Sequence, residues 1–413
     1  MKKVLFLTWS YPNTSGSATI LCTHRVLECV ASSGKFEVHV LCSRLRSEAK
    51  EEVIGDIHVC RFKPSWWVRL TSHFLHNNKY RYFNRILVFA QKVLTIPIYP
   101  LISPITTIRY YLCAKKLQKR ESYSIVVSEH HGLESLITGC LLMRKFKGLQ
   151  HVAIFWDPLK GQIPTDRLPK CYTERRIDIV EHFVAKNTKL QISLKSIQGY
   201  YKLNGDIAED HRYYLDIPGV LKPEIEVSTI YTKLLLKGHI NIVFSGLLSE
   251  QYRDAIPIIR LFNKCEKAER INLVFFSRGE KDPIEKEAER FRGRIVYHDY
   301  IPLKELHTIY RHVDFLLNIS HMNSNMVPSK IFEYMSYGKP IISTYVTEGD
   351  SAQKYINRYP DGLCIDLKKT EEENVVALNS FFENKHSLIS YSKVKEVFGD
   401  NTPERFLEVL DRL

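Results

Sequence analysis

Several things are scarce in this 413-residue chain, and each absence removes a class of function. No window offers about 18 uninterrupted apolar residues, so no membrane-spanning helix is expected. Met1-Lys-Lys leads only into the short apolar run Val4 to Leu7 and then Pro12, too little for the core of a signal peptide. The nine cysteines are scattered singly, without a Cys-x-x-Cys pair and in odd number. That pattern describes a reduced cytosolic protein with no structural zinc site. No Asp-x-Asp pair offers a metal clamp, and no Gly-x-Gly-x-x-Gly spacing marks an NAD site. The most telling absence is local: from Arg61 to Arg120 there is not one Asp or Glu. Twelve basic residues give that window +12, against +13 for the whole chain.

What is present reads as two successive α/β series. Val4–Thr8 is a buried strand, followed by a turn-rich loop containing Gly16 and Ser17, a helix from about Thr19 to Ser32 and a strand over Phe36–Cys42. Ile57–Phe62 is a further strand, and the basic window follows it. There Trp66, Trp67, Phe83, Phe89, Tyr99 and other aromatics are mixed with the cations. Basic residues with interfacial aromatics and no acids suit a segment resting on an anionic membrane. No recognition motif accompanies the charge, so nucleic acid is not expected as a partner.

Tyr123–Ser128 is the next strand, ending in Glu129-His130-His131-Gly132, and His151–Phe155 another, ending near Asp157. The C-terminal edge of parallel strands is where such sheets bind ligands, which makes His130, His131 and Asp157 candidates. Arg212 to Lys222, with Pro218-Gly219 as its turn, reads as a linker. A second series of strands follows at Ile240–Gly246, Ile271–Phe276, Arg294–Tyr297 and Asp314–Asn318. The expected organisation is an N-terminal Rossmann-like domain over 1–217 with a basic aromatic excursion at 61–120. A second such domain spans 218–396, and an amphipathic tail over 397–413 crosses back to the first.

The segment from Asn325 to Pro340 carries the chemistry. Pro328 suits the first turn of a helix, Ser329 is a candidate cap, and Gly338 followed by Pro340 is a stop signal. The start of such a helix attracts anions, and Lys330 adds positive charge there. Glu333, one turn in, suits two hydrogen bonds from a vicinal diol such as a ribose. Phosphates at the helix tip with a ribose beside them describe a nucleotide diphosphate.

This stretch resembles the donor-site signature of GT-B glycosyltransferases, specifically the retaining enzymes of glycosyltransferase family 4. The resemblance implies two Rossmann-like domains facing each other across a donor-binding cleft. In that family a Glu-x7-Glu motif spans the loop and helix. Glu333 matches the second Glu, which holds the ribose, and Asn325 stands where the first, which touches the donor sugar, is usual. The family's Arg and Lys after the second-domain glycine loop at Gly246 are replaced by Leu247 and Tyr252. The leaving diphosphate must then be neutralised by others, with Arg253, Arg278 and Lys330 the candidates. The resemblance further implies donor contacts at Gly16, Ser17, Val327 and Ser329, base contacts at Tyr300 and Ile301, and a sugar- or acceptor-facing His at 130 or 131, with Asp157 beside the acceptor.

The function implied is metal-independent transfer of a hexose from a nucleotide diphosphate sugar to a glycan or lipid-linked acceptor. Retention of configuration, a part in cell-surface polysaccharide synthesis and a peripheral place at the inner face of the cell membrane go with it. No cofactor is expected. Two other readings stand beside this one. A nucleotide-sugar 2-epimerase of the same fold would convert the donor without an acceptor. A non-catalytic partner subunit would fit the replacements at Asn325, Leu247 and Tyr252.

Overall fold

A computed structural model describes residues 1–12, 18–44, 48–75, 81–101, 103–130, 132–159, 168–279, 281–321, 327–347 and 349–413. It divides into two compact units, Met1–Asp216 with Pro403–Leu413, and Ile217–Thr402.

The first unit is built on β1 (Lys2–Leu7), β2 (Phe36–Ser43), β3 (Glu51–Ile54), β4 (Ile57–Phe62), β5 (Ile125–Glu129), β6 (Gln150–Phe155), β7 (Leu190–Leu194) and β8 (Arg212–Leu215). They form one sheet in the order β3-β4-β2-β1-β5-β6-β7-β8, parallel except for β3 against β4. The β3–β4 hairpin was not foreseen. Its turn places Gly55 at φ +57°, a conformation glycine adopts without steric cost. Its helices are α1 (Ala18–Ser32), α2 (Trp66–Leu75), α3 (Arg81–Thr95), α4 (Pro104–Glu121), α5 (Leu133–Lys145), α6 (Lys170–Lys186) and α7 (Gln198–Asn204). Leu5, Leu7, Leu41, Phe62 and Val126 pack with Tyr110, Ala114 and Leu117 of α4. Leu136 and Cys140 of α5 pack with Ala153, Phe155 and Ile177. The near-continuous apolar runs of β1, β5 and β6 follow from helices covering both faces of a parallel sheet.

One expectation fails in this unit. Arg212–Leu215, read as linker, is strand β8, paired in parallel register with β7. The reason is the setting of Arg212. Its guanidinium donates to Asp206 at 2.6 Å and to Ser193 at 2.7 Å, and lies 3.7 Å from the Tyr201 ring centroid. A charge so fully engaged need not face water.

The second unit repeats the theme with β9 (Ile240–Leu248), β10 (Ile271–Gly279), β11 (Arg294–His298), β12 (Phe315–Ile319), β13 (Ile341–Tyr345) and β14 (Gly362–Asp366). Their order is β11-β10-β9-β12-β13-β14, with every pair parallel. Between and after them run α8 (Ile256–Lys264), α9 (Asp282–Ala288), α10 (Leu303–His312), α11 (Lys330–Ser336), α12 (Gln353–Ile356), α13 (Glu371–Glu383) and α14 (Tyr391–Val397). Two Rossmann-like α/β domains, as expected from the sequence, are therefore present. The last helix, α15 (Glu404–Asp411), belongs to the first unit, where Phe406 packs against Trp156 at 5.5 Å between ring centroids.

Candidate functional site

The candidate residues of the second unit lie at the ends of β9, β10 and β11 and at the start of α11. Short α11 is anchored through its own buried face. Tyr334 accepts a hydrogen bond from the Ser245 backbone N–H at 3.0 Å, and the Ser245 hydroxyl bonds the Tyr310 hydroxyl of α10. All three side chains are buried, so β9, α10 and α11 are pinned by a closed polar network. Helix α11 stops at Gly338, whose φ of +66° and approach to Ile389 exclude a side chain: a Cβ there would lie 2.0 Å from the Ile389 carbonyl oxygen.

On this frame Glu333 is held from two sides. Its Oε1 accepts from Lys330 Nζ at 2.7 Å and faces His307 Nε2 at 3.2 Å. Glu333 is only 3 % exposed. A buried carboxylate must be paired, and here two cationic or proton-donating groups share one oxygen. Lys330 also reaches toward the Tyr310 hydroxyl at 3.5 Å. The sequence placed Lys330 and Glu333 on one helix end but not in contact with each other. Ser329 has the N-cap position with helical backbone angles, and its side chain makes no capping bond, contrary to the expectation. Pro328 and Val327 precede it, half-buried.

Arg253 lies beside Gly246, its Nη1 3.5 Å from the position a Cβ at Gly246 would take. A short bridge between Ser249 and Arg253 closes the loop after β9. Burial pulls the Arg253 guanidinium below its ordinary pKa, and the nearby Tyr334 and Tyr300 oppose that pull. Its Nε is buried without a hydrogen-bond partner. Tyr252, which replaces a cation of the family pattern, stacks on His321 at 5.4 Å with an interplanar angle of 17°. Arg278 lies 4.9 Å from the centroid of the Tyr300 ring, and both are exposed; Ile301 beside them is half-buried. The structure thus assembles Gly246 with Arg253, Arg278 with Tyr300, and Lys330 with Glu333.

In the first unit His130 follows β5 directly. It is buried, its backbone N–H donates to Ile154, and its Nδ1 lies 3.4 Å from the Asp157 carbonyl oxygen. His130 and Asp157 are therefore neighbours at the ends of β5 and β6. The sequence reading passed over Glu129. This residue ends β5 fully buried and accepts from the Thr8 and Thr23 hydroxyls and, at 3.2 Å, from the Trp9 backbone N–H. Burial raises its pKa, and these three donors oppose the rise. Trp156 in turn donates to Thr23 at 2.8 Å. An acid closing an apolar strand was the available signal. Gly16, Ser17, His131 and Asn325 lie outside the described residues.

The basic window is less uniform than its charge suggests. Arg61 is buried and paired with Glu52, Arg109 donates to the Pro64 carbonyl, and Arg120 reaches Glu51 and Glu121. Lys63, Arg69, Arg85, Lys116 and Lys119 are exposed. On α3 the side chains of Tyr82, Ile86, Phe89 and Val93 recur at helical spacing and are all exposed, Tyr82 at 80 % and Ile86 at 63 %. Among the described residues no helix is long and apolar enough to cross a membrane.

Residues 239–384 match the family model described as glycosyl transferases group 1. No curated protein matches the chain. Solved structures resemble it along its whole length. Anabaena HepE in complex with UDP and glucose is 13 % identical, with all of both chains covered and a TM-score of 0.61. WaaG, a glycosyltransferase involved in lipopolysaccharide biosynthesis, is 15 % identical over 98 % of this chain and 99 % of its own, at 0.56. The Burkholderia xenovorans α,α-trehalose-phosphate synthase (UDP-forming), in complex with glucose-6-phosphate, is 9 % identical over 100 % and 99 %, at 0.62. The chain thus has the two-domain GT-B glycosyltransferase fold, and the region that matches the glycosyl transferases group 1 model spans most of its second unit.

Proposed function

We propose that this protein transfers a hexose from a nucleotide diphosphate sugar to a glycan or lipid-linked acceptor, with retention of configuration, in cell-surface polysaccharide synthesis. The observation that carries the reading is Glu333, a buried carboxylate held by Lys330 and His307 at the start of α11, inside the region matching the glycosyltransferase family model. Glu333 serves the ribose. Lys330, Arg253 and Arg278 offset the charge that grows on the departing diphosphate, Tyr300 and Ile301 border the base, and Gly246, Val327 and Ser329 line the phosphates and sugar. Gly16, Ser17 and Asn325 complete the donor side, and His130, His131 and Asp157 serve the acceptor.

In a retaining transfer the leaving oxygen and the incoming hydroxyl share one face of the sugar. The catalytic contribution is then mainly stabilisation of negative charge on the leaving group, and fixed cations supply it without a metal. The half-buried Arg253 suits this role because a cation partly removed from water acts more strongly on a neighbouring phosphate. The likeness to a structure holding UDP and glucose makes a uridine nucleotide the first donor to try.

We further propose that the exposed apolar stripe of α3, with the cations around it, rests on the anionic inner face of the cell membrane. The reading as a whole is tested by a calorimetric screen of UDP-, GDP- and TDP-sugars, followed by acceptor trials with the donor that binds. Transfer supports the proposal. Conversion of the donor with no acceptor present identifies an epimerase, and binding with neither hydrolysis nor transfer identifies a non-catalytic subunit.

A further inference from the structure

At the opposite end of the first unit's sheet from His130 and Glu129, three potential metal ligands converge. Glu37 and His39 are two residues apart on β2 and so project from the same face. His58 on β4 is the direct register partner of His39. The two imidazole rings stack with centroids 4.7 Å apart and planes inclined by 18°. His39 Nε2 is 2.9 Å from Glu37 Oε1, and one ligand atom from each of the three residues falls within 4.8 Å of the other two. We propose that Glu37, His39 and His58 bind one first-row transition-metal ion, of which Zn²⁺ is the natural occupant.

The donor set decides the metal. Two imidazole nitrogens and one carboxylate oxygen suit Zn²⁺, Ni²⁺ or Cu²⁺, whereas Mg²⁺ and Ca²⁺ require a shell of oxygens. Ligands bound at about 2.0–2.1 Å around a tetrahedral ion stand roughly 3.3 Å from one another. The Glu37–His39 separation is already close to that, and His58, stacked on His39, must rotate to present a nitrogen to the same ion. His39 is 4 % exposed, so the sheet already holds its Nε2 beside Glu37. His58 is exposed, so an ion can enter from its side and keep a water as fourth ligand.

The competing group is Lys3, whose Nζ lies 3.1 Å from Glu37 Oε1. It also donates to Glu121 at 2.9 Å and keeps that partner when Glu37 turns to a metal. The site lies at the N-terminal ends of the strands, whereas ligands of open parallel sheets bind at the C-terminal ends. The ion would therefore clip β2 to β4 and take no part in sugar transfer. The inference is independent of the proposed function.

The test uses the untagged full chain, stripped with a chelator and titrated with Co²⁺ and then Zn²⁺. One equivalent of Co²⁺ should bind with visible d–d absorption, Zn²⁺ should displace it, and saturating Zn²⁺ should raise the unfolding temperature. His58→Ala, at an exposed position, should keep the metal-free unfolding temperature and lose at least about tenfold in metal affinity, since a direct ligand is worth no less than a supporting one. Glu37→Gln should weaken binding in the same direction. Failure of the wild-type chain to take up Co²⁺, or uptake by His58→Ala with wild-type affinity, overturns the proposal.

Discussion

Replacing Glu333 by Gln keeps the shape of the side chain and removes its charge, which isolates the role assigned to it. In the folded chain its Oε1 receives Lys330 at 2.7 Å and His307 at 3.2 Å, and the side chain is almost wholly buried. A charged acceptor for ribose hydroxyls is worth about 1.5–3 kcal/mol, so nucleotide diphosphate affinity should fall roughly ten- to hundredfold. The structural cost should be smaller than for a fully buried pair, because the Lys330 side chain is 29 % exposed and can turn to water. We expect about 1–3 kcal/mol of lost stability. Calorimetry with UDP and GDP measures the first effect, and urea unfolding the second. Inorganic pyrophosphate separates the ribose contact from a general collapse of the helix end: its binding should be nearly unchanged in Glu333→Gln. Equal loss for pyrophosphate and nucleotide would place the effect on Lys330, and unchanged nucleotide affinity would remove Glu333 from the site.

Lys330→Ala should lower turnover by more than it lowers affinity for the nucleoside alone, as measured by kcat and by nucleoside calorimetry; equal losses would indicate a structural effect. Sedimentation with anionic liposomes should be strong at low salt for the wild type. It should weaken both with Lys79, Arg81, Arg85 and Lys92 changed to Gln and with Ile86 and Phe89 changed to Gln; a wild type that ignores such liposomes at low salt refutes the membrane reading. Burial holds His24 and His151 at a pKa of about 4, against about 6.5 when unfolded. Their neutral forms favour the fold, so that stability is complete above pH 6.5 and is lost as pH falls toward 4, by up to about 1.4 kcal/mol per pH unit for each. Glu129, Glu134 and Asp350, whose pKa values are raised by burial, pull the other way over part of this range. Urea midpoints at pH 7, 6 and 5 should nevertheless decline, and a flat or rising series would contradict the assignment. Gly139→Ala should destabilise by about 1–3 kcal/mol in the same assay, because its Cβ would lie 2.2 Å from the buried Nε2 of His151; a neutral substitution would mean that α5 can shift.

Most strands of both sheets were legible because buried parallel strands are continuous apolar runs, as in Ile240–Phe244 and Ile271–Phe276. Where polar residues were satisfied by tertiary partners the reading failed. Arg212-Tyr-Tyr-Leu looked like a linker because nothing local shows that Asp206, Ser193 and Tyr201 enclose the arginine. The short β3 carries Glu51 and Glu52 on an edge, where the alternation that marks a half-buried strand is absent. At the site, residue identity and helix spacing placed Glu333 and Lys330 at one helix end, though not in contact. The third partner, His307, stands 26 positions away and came only from the packing of α10 on α11. The window at 61–120 shows the converse limit: composition counted Arg61 with the surface cations, but it is a buried ion-paired residue.

The assignment of Pro403–Leu413 to the first unit has a consequence for the order of synthesis. In sequence the second unit is an insertion within the first, and its two ends are tied by hydrogen bonds from Gly219 and Val220 to the Asn401 carbonyl. A chain emerging from the ribosome can therefore complete and close the second unit while the first still lacks α15. Until those last residues are made, Trp156 has no Phe406 to pack against, and the contacts between α1 and α15 are unformed. The larger unit, although begun first, is completed after the second, and a nascent chain stalled near residue 402 would hold a closed second unit and an unfinished first.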